Sequence, residues 1–292
     1  MSASVPPRVR IRFWGTRGTC PSPGPRTVRY GGNTPCVEVR GPDNHVIILD
    51  AGSGIRALGA HLLAAGHSTP IQLLLSHRHS DHVLGLAHFA PLFEPGNRIH
   101  VRCGEGEADA LAAFTRAMLT PPLFPAVDGL SSRLDFSEWD DHDAPLSNGL
   151  VVKRFPARHP GEAAIFRFDD ANGPLLAYAP DNELAYHDQS AEVRAWRAAL
   201  ADFLRGVPVL IHDATYRHHE LPQHAGWGHS SHVEATRLAL ECGARTLVLF
   251  HHHPDRDDDS VEQMVEECRA QATRSGAPLR LLAAWEGLTL SV

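Results

Sequence analysis

Residues 76–82 read Ser-His-Arg-His-Ser-Asp-His, which places three histidines and one aspartate within six positions. They directly follow the apolar segment 71–75, which begins after Pro70 and is typical of a short buried strand. A metal centre needs a rigid backbone behind it and open space in front, and a strand end provides both. A merely polar surface turn is the alternative. It is disfavoured because four metal-binding side chains converge at one strand end.

The spacing within this cluster divides it into two pairs. His77 and His79 lie two residues apart, so in an extended chain their side chains point in the same direction and can bind one ion together. Asp81 and His82 are adjacent and cannot both share that direction. They are therefore better placed to hold a second ion.

Composition disfavours several other classes of protein. The net charge of −7 and the lack of a long basic patch disfavour, without excluding, nucleic acid as a partner. The five cysteines are scattered and form no C-x-x-C pair, which is typical of reduced residues in a cytoplasmic protein. No leader and no apolar segment long enough to cross a bilayer are present, so we expect no membrane partner. The chain carries 20 histidines, and histidine is the commonest metal ligand.

The apolar pattern predicts one α/β domain over residues 1–292, since no linker or repeat divides the chain. Strands early in the chain, followed by alternating strands and helices, indicate two packed sheets with helices outside. The predicted strands are 8–13, 36–40, 46–49, 71–75, 150–155, 164–168, 175–179, 207–211, 246–250 and one or two over 279–292. The predicted helices are 55–65, 105–119, 192–205, 231–241 and 260–272.

The pattern loosens over residues 105–149, which are irregular and rich in proline around 120–125. We interpret this segment as an insertion that caps the pocket and confines it to small substrates.

Histidine or aspartate recurs at the tips of the later apolar strands. A lone loop histidine is usually not a ligand, but strand tips in a layered sheet gather at one edge, so these side chains could meet. The four candidates that follow predicted strands are His159, Asp181, Asp213 and His251.

These residues resemble a known family. Residues 76–82 match the H-x-H-x-D-H signature of the metallo-β-lactamase fold superfamily, and the later candidates follow in the family's order. Within it, the chain is most similar to the ribonuclease Z and cyclic-phosphodiester hydrolase branch. Residues 211–215, I-H-D-A-T, resemble the H-E-A-T segment of that branch, and residues 228–231, G-H-S-S, resemble its G-H-S-T segment. The resemblance implies a four-layer αββα sandwich with two mixed β-sheets and helices on the outer faces.

The resemblance also implies two Zn²⁺ ions per chain, with Mn²⁺ or Fe²⁺ as alternatives. Such ions, about 3.5–4 Å apart, can share a hydroxide. Asp81 is a candidate acceptor for the proton of the attacking water. The implied ligands are His77, His79 and His159 for one ion, Asp81, His82 and His251 for the other, and Asp181 bridging both.

The roles of four further residues are implied by the resemblance and not by their spacing. Asp50 would orient a ligand histidine, although it could equally be a simple turn residue. His229 would face the scissile phosphate and Asp213 would orient it, although aspartate is one methylene shorter than the branch's glutamate. His252 competes with His251 for the last ligand position, and the first residue past the strand is preferred.

Arg17, in an early loop, could meet a phosphate because of its charge.

The spacing between two of the candidate ligands limits the range of possible substrates. About twenty residues separate His159 from Asp181, too few for the tRNA-gripping arm of ribonuclease Z. We therefore expect hydrolysis of a small phosphodiester, a cyclic nucleotide or another cyclic phosphate, through a metal-bridging hydroxide. Members of this branch are often homodimers, so a homodimer is also expected.

Four alternatives remain open. A thioester or lactone hydrolase would use the same metals without the Asp213 and His229 pair. A ribonuclease Z type endonuclease would act on RNA. A flavodiiron protein is disfavoured because that group has a carboxylate where His79 stands. A catalytically silent binding module is the fourth.

Overall fold

The structure is a computed structural model that describes residues 8–41, 43–66, 70–124, 130–139, 144–146 and 149–292. Its strands are β1 (Arg10–Gly15), β2 (Cys36–Arg40), β3 (Val46–Leu49), β4 (Ile71–Leu74), β5 (Arg98–Cys103), β6 (Arg133–Glu138), β7 (Ala144–Pro145), β8 (Val151–Pro156), β9 (Ala164–Asp170), β10 (Gly173–Ala179), β11 (Val209–Asp213), β12 (Thr246–Phe250), β13 (Arg280–Ala283) and β14 (Thr289–Ser291). Its α-helices are α1 (Ile55–Ala64), α2 (Ser80–Val83), α3 (Ala108–Met118), α4 (Ala191–Phe203), α5 (His232–Cys242) and α6 (Asp258–Ser275).

The strands form two seven-stranded sheets. The first has the order β14-β1-β2-β3-β4-β5-β6 and the second the order β13-β12-β11-β10-β9-β8-β7. In the first sheet, β3 to β6 are parallel and the other pairs are antiparallel. In the second, β10 to β13 are parallel and β7 to β10 antiparallel. Both sheets are therefore mixed, as predicted.

Three apolar clusters separate four layers. The central cluster joins the inner faces of the sheets, where Phe13 of β1 meets Phe250 of β12. A second cluster packs α1 against the outer face of the first sheet, and a third packs α4, α5 and α6 against the outer face of the second. Each helix buries one apolar stripe and each sheet buries both faces, which confirms the αββα sandwich.

Several elements agree with the sequence prediction to the residue. Strands β2, β3 and β12 have the predicted bounds. Helix α5 opens on a capping box in which Ser231 and Glu234 exchange side-chain and backbone hydrogen bonds. Strands β5 and β6 were not predicted, although both alternate apolar and polar residues. The backbone at the end of residues 76–82 is not extended, because Asp81 and His82 lie on the short helix α2.

The described residues of segment 105–149 contribute α3 and the edge strands β6 and β7, one strand to each sheet. This segment is therefore the crossover between the two sheets. Residues 125–129, 140–143 and 147–148 of it lie outside the described residues. Its capping role stays a prediction.

The topology brings the candidate residues to one edge of the sandwich. Asp50 follows β3 and His77 follows β4 in the first sheet, while Asp181 follows β10 and His251 follows β12 in the second. The carboxyl ends of parallel strands lie at the same edge of a sheet, which is where open α/β sheets bind ligands. The two sheets therefore present their functional ends to each other.

Candidate metal centre

The seven residues predicted as ligands converge at this edge. One group has its ligand atoms within 4.8 Å of one another and consists of His77, His79, His159 and Asp181. A second group, under the same distance, consists of Asp81, His82 and His251. The division matches the two pairs expected from the spacing within residues 76–82.

Asp181 lies between the two groups and turns one oxygen to each. Its Oδ1 is 3.1 Å from His82 Nε2 and 3.3 Å from His251 Nε2. Its Oδ2 is 3.7 Å from both His77 Nε2 and His159 Nε2. A carboxylate in this position can serve two cations at once.

Unpaired buried atoms mark the centre as suited to cations. Within the described part of the chain, His77 Nε2, His82 Nε2 and Asp181 Oδ1 are buried and find no hydrogen-bond partner. A buried polar atom without a partner costs about 1–3 kcal/mol, so three at one point require another explanation. A divalent cation would engage all three. Imidazole nitrogens with carboxylate oxygens are the donor set that Zn²⁺ accepts and that Mn²⁺ and Fe²⁺ also use. The residues therefore fit the implied metals.

Asp50 orients the histidines of the first sheet. Its Oδ2 lies 2.8 Å from His82 Nδ1 and also accepts a hydrogen bond of 2.8 Å from the hydroxyl of Tyr178. Its Oδ1 accepts from the Ser76 backbone N–H at 2.7 Å. The Ser76 hydroxyl in turn lies 3.0 Å from Nδ1 of His77. Both rings are thereby held through Nδ1, which leaves Nε2 facing the centre.

The histidines of the second sheet are held in the same way. Nδ1 of His159 donates to the Gly228 carbonyl at 2.9 Å, and Nδ1 of His251 lies 3.0 Å from the Thr215 hydroxyl. His79, which follows β4 of the first sheet, is not held in this way, since its Nδ1 faces Nε2 of His159 at 2.9 Å. Second partners of this kind fix the tautomer and the ring orientation of a ligand histidine.

Two of these residues have unusual backbone conformations. Asp50 has φ of 61° and His251 has φ of 58°, in the left-handed region that residues other than glycine rarely adopt. Such conformations cost about 1–3 kcal/mol and persist only where the surrounding contacts determine them. These conformations indicate that contacts around the centre fix the directions of the Asp50 and His251 side chains.

The charges at the centre suit cation binding. Burial lowers the pKa of His77 and of His159, so these rings are neutral donors. Burial alone would raise the pKa of Asp181, but the surrounding histidines hold it well below its usual range. His82 differs, because burial lowers its pKa while the carboxylates of Asp181 and Asp81 raise it well above the ordinary value. The carboxylates therefore favour positive charge at the Nε2 position of His82.

A histidine and aspartate pair lies beside the cluster. Nδ1 of His229 is 2.7 Å from Oδ2 of Asp213. The His229 ring centroid is 5.1 Å from that of His159 and 5.0 Å from that of His251. Burial lowers the pKa of His229, but Asp213 outweighs it and raises the pKa to about 9. Thr215 donates through both its N–H and its hydroxyl to Asp213 Oδ1, which fixes the carboxylate.

His252 does not join the cluster. Its Nε2 donates to the Ala284 carbonyl at 2.9 Å, and burial together with Arg17 lowers its pKa to about 3. Of the two histidines considered for the last position, only His251 reaches the centre.

Arg17 cannot meet a phosphate, so that expectation is wrong. Its side chain is completely buried and donates to the carbonyls of Gly31, His253 and Arg256. It holds loops together behind the centre.

Sequence reasoning missed several residues that shape the site. Tyr178 carries no signal, because it lies in an ordinary apolar strand. Thr215 stands within the 211–215 motif, so its signal was present. Gly18 packs so closely that a Cβ there would lie 2.2 Å from the His251 ring. Glu183, two residues past Asp181, is buried and binds backbone N–H groups of the loop before His229.

Space for a substrate adjoins both sides of the centre. A cavity of about 720 Å³ is lined by Phe155, His159 and Gly161, with Glu105 and Arg154 as charged neighbours. A smaller cavity of about 330 Å³ lies on the Asp81 side. The volumes suit small molecules.

The family model described as "Beta-lactamase superfamily domain" matches residues 45–252, so the chain belongs to the beta-lactamase superfamily. A protein of Mycobacterium tuberculosis that bears only the name uncharacterized protein is 28% identical over 271 residues, which cover 90% of this chain and 86% of that one. Ribonuclease BN of Erwinia tasmaniensis is 23% identical over 310 residues, covering 90% of this chain and 95% of that one.

Two solved structures share the whole fold. The metallo-beta-lactamase fold protein YhfI from Bacillus subtilis superposes with a TM-score of 0.70 at 15% identity, covering 97% of this chain and 99% of that one. A diphosphatase from the PhnP family superposes with a TM-score of 0.65 at 19% identity, covering 98% of each chain. The chain is thus a member of the beta-lactamase superfamily with a His and Asp cluster suited to divalent metal ions.

Among the helices that the structure describes, none combines the length and the apolar character needed to span a membrane.

Proposed function

We propose that this protein hydrolyses the phosphodiester bond of a small cyclic nucleotide or another cyclic phosphate, using two divalent ions, with Zn²⁺ as the first candidate. The observation that carries the proposal is the Asp213 and His229 pair beside the His and Asp cluster. Metal-assisted acyl hydrolysis needs the cluster alone. A protonated imidazole at the same place suits a reaction that expels an alkoxide from phosphorus.

Seven residues would hold the ions, as the spacing of their donor atoms suggests. When bound, the two ions supply an activated water and neutralise charge on the phosphate oxygens. Those residues are His77, His79, His159, Asp81, His82, His251 and Asp181.

Asp81 is the candidate acceptor for the proton of the attacking water, because its carboxylate is ionised and faces the centre. Its Oδ2 accepts a hydrogen bond of 2.7 Å from the Thr19 backbone N–H and lies 3.1 Å from His251 Nε2. These contacts keep the carboxylate ionised and pointed at the centre. The pKa of Asp81 is lowered, because the positive charge of His82 and the hydrogen bond from His251 outweigh its burial.

His229 would donate a proton to the leaving oxygen, and Asp213 would position it. Asp213 is fully buried, and its Oδ2 also accepts from the Asn182 N–H at 3.3 Å. A buried carboxylate held at both oxygens keeps the imidazole in one orientation and stabilises its protonated form. His229 remains partly accessible, as a group that touches substrate must be.

The size of the site supports a small substrate. The segment between His159 and Asp181 is occupied by the hairpin of β9 and β10, which leaves no room for a long RNA-binding arm. The net charge of −7 also disfavours a polyanion. The likeness to ribonuclease BN keeps RNA processing as the second candidate.

The proposal is tested by screening zinc-loaded protein against cyclic nucleotides, base-free cyclic phosphates, tRNA precursors, thioesters and lactones. We expect turnover of the cyclic phosphodiesters, and of bis(p-nitrophenyl) phosphate as a chromogenic probe. His229→Ala should lower that turnover at least a hundredfold, within the range for loss of a general acid. His187→Ala, at an exposed position, is the matched control.

An unaffected rate in His229→Ala would contradict the proposal. Turnover of thioesters alone would favour the acyl hydrolase, and cleavage of tRNA precursors alone would favour the ribonuclease. Analytical ultracentrifugation of the same preparation tests the expected homodimer.

A further inference from the structure

Trp227 is unusually exposed for so large an apolar side chain, at 60% of its surface. It lies one residue from Gly228, whose carbonyl binds His159, and two residues from His229. Single exposed apolar residues are common, so exposure alone assigns no role. The way in which this tryptophan is held is more informative.

A buried carboxylate clamps the turn that carries Trp227. Glu183 is only 7% exposed, and its oxygens accept hydrogen bonds of 2.9 and 3.0 Å from the Gly226 N–H and of 2.9 Å from the Gly228 N–H. Both glycines have φ of 83°, a conformation other residues adopt only under strain. On the far side, Gly228 is tied to His159. The backbone that carries the indole is therefore fixed relative to the metal centre.

Aromatic rings connect Trp227 to His229, which pairs with Asp213. The Trp227 and His224 rings are perpendicular with centroids 5.1 Å apart. His224 stacks on Tyr216 at 4.2 Å, and Tyr216 meets the edge of His229 at 5.9 Å. These contacts stiffen the turn and form an aromatic wall that runs from His229 to the surface.

We propose that Trp227 is a specificity-determining residue on which a planar base of the substrate stacks. This inference rests on the proposed function and narrows its substrate to cyclic nucleotides, as opposed to base-free sugar phosphates. Two residues span at most about 7 Å between Cα atoms, so a phosphate at His229 and a base at the indole can belong to one nucleotide. Stacking on a tryptophan face tolerates any base, so we expect weak discrimination among bases.

The test compares substrates that differ only in the base. Adenosine 3′,5′-cyclic phosphate and adenosine 2′,3′-cyclic phosphate are each paired with the methyl riboside that carries the same cyclic phosphate. Trp227→Ala should lower kcat/KM about ten- to a hundredfold for the substrates with a base, the usual effect of losing one stacking contact. The methyl ribosides should be unaffected. Trp227→Phe should restore most of the loss, and Val28→Ala, at a position that is 75% exposed, is the control.

A second readout does not depend on turnover. Titration with adenosine monophosphate should quench the tryptophan fluorescence of the wild-type protein, and the quenching should be lost in Trp227→Phe, which keeps the four other tryptophans.

Equal losses on both members of a substrate pair would overturn the inference. So would a Trp227→Ala variant that changes only the oligomeric state, because the indole would then be a subunit contact. If the wild-type protein cleaves no member of either pair, the proposed function itself has failed.

Discussion

Asp213 Oδ2 lies 2.7 Å from Nδ1 of His229, although aspartate is one methylene shorter than the glutamate of the resembling enzymes. Backbone contacts bring the two residues together. Tyr216 and Ser231 form a β-bridge, and the Tyr216 N–H donates to the Ser230 carbonyl at 3.1 Å. This bridge holds the loop before α5 close to the end of β11, where Asp213 reaches His229.

Replacing Asp213 by Asn should weaken catalysis without emptying the metal centre. The amide keeps the size of the carboxylate but removes the charge that stabilises protonated His229. We expect kcat for a cyclic phosphodiester to fall at least tenfold, with an unchanged metal content by plasma mass spectrometry. Asp202→Asn, at an exposed position of α4, is the control. Full activity in Asp213→Asn would show that the pair is only structural.

Substitutions at two neighbouring histidines should have opposite effects. His251→Ala should lower the bound metal from about two ions per chain towards one, because Nε2 of His251 faces both Asp81 and Asp181. His252→Ala should keep both ions and instead lower the melting temperature, since it removes the buried hydrogen bond to Ala284. The reverse assignment would follow if His252→Ala lost metal and His251→Ala did not.

Gly18→Ala should disturb the centre by contact alone. The new Cβ would lie 2.2 Å from the His251 ring, so either the ring or the Gly18 loop must move. We expect zinc affinity at one of the two sites to fall at least tenfold, measured by competition with a chromogenic chelator. Gly24→Ala is the matched control, because a Cβ there meets no atom within 4 Å. Equal zinc affinity in both variants would indicate that the loop yields easily.

A salt bridge outside the centre should make stability depend on pH in the acid range. Burial would raise the pKa of Glu220, but its hydrogen bond and ion pair with Arg256, at 2.6 Å, lower it to about 2. A lowered pKa stabilises the fold fully above about pH 4.5, the unfolded value, and this contribution disappears as the pH falls towards about 2.

Glu220→Gln should therefore destabilise the protein at pH 7 by at most roughly 3 kcal/mol, measured by urea denaturation. The difference from the wild type should shrink as the pH falls below 4.5. Glu192→Gln, at an exposed position of α4, is the control. A difference that stays constant with pH would mean that the ion pair does not contribute.

The sequence alone determined many of the elements and the chemistry of the ligands. Strands β3 and β12 follow from their apolar runs, because burial of both faces of a strand needs continuous apolar residues. The capping box at Ser231 followed from local hydrogen bonding. Residues 76–82 held enough ligand types at one strand end to indicate a metal centre before any fold was known.

Only the tertiary structure decided which of these side chains meet and how. Asp181 turns one oxygen to each histidine group because the two sheets face each other across the edge where their parallel strands end. Asp50 and Tyr178 are 128 residues apart and meet through that same packing. Local patterns describe neighbours along the chain, whereas these contacts depend on the register and the angle of distant strands, which no short stretch of sequence encodes.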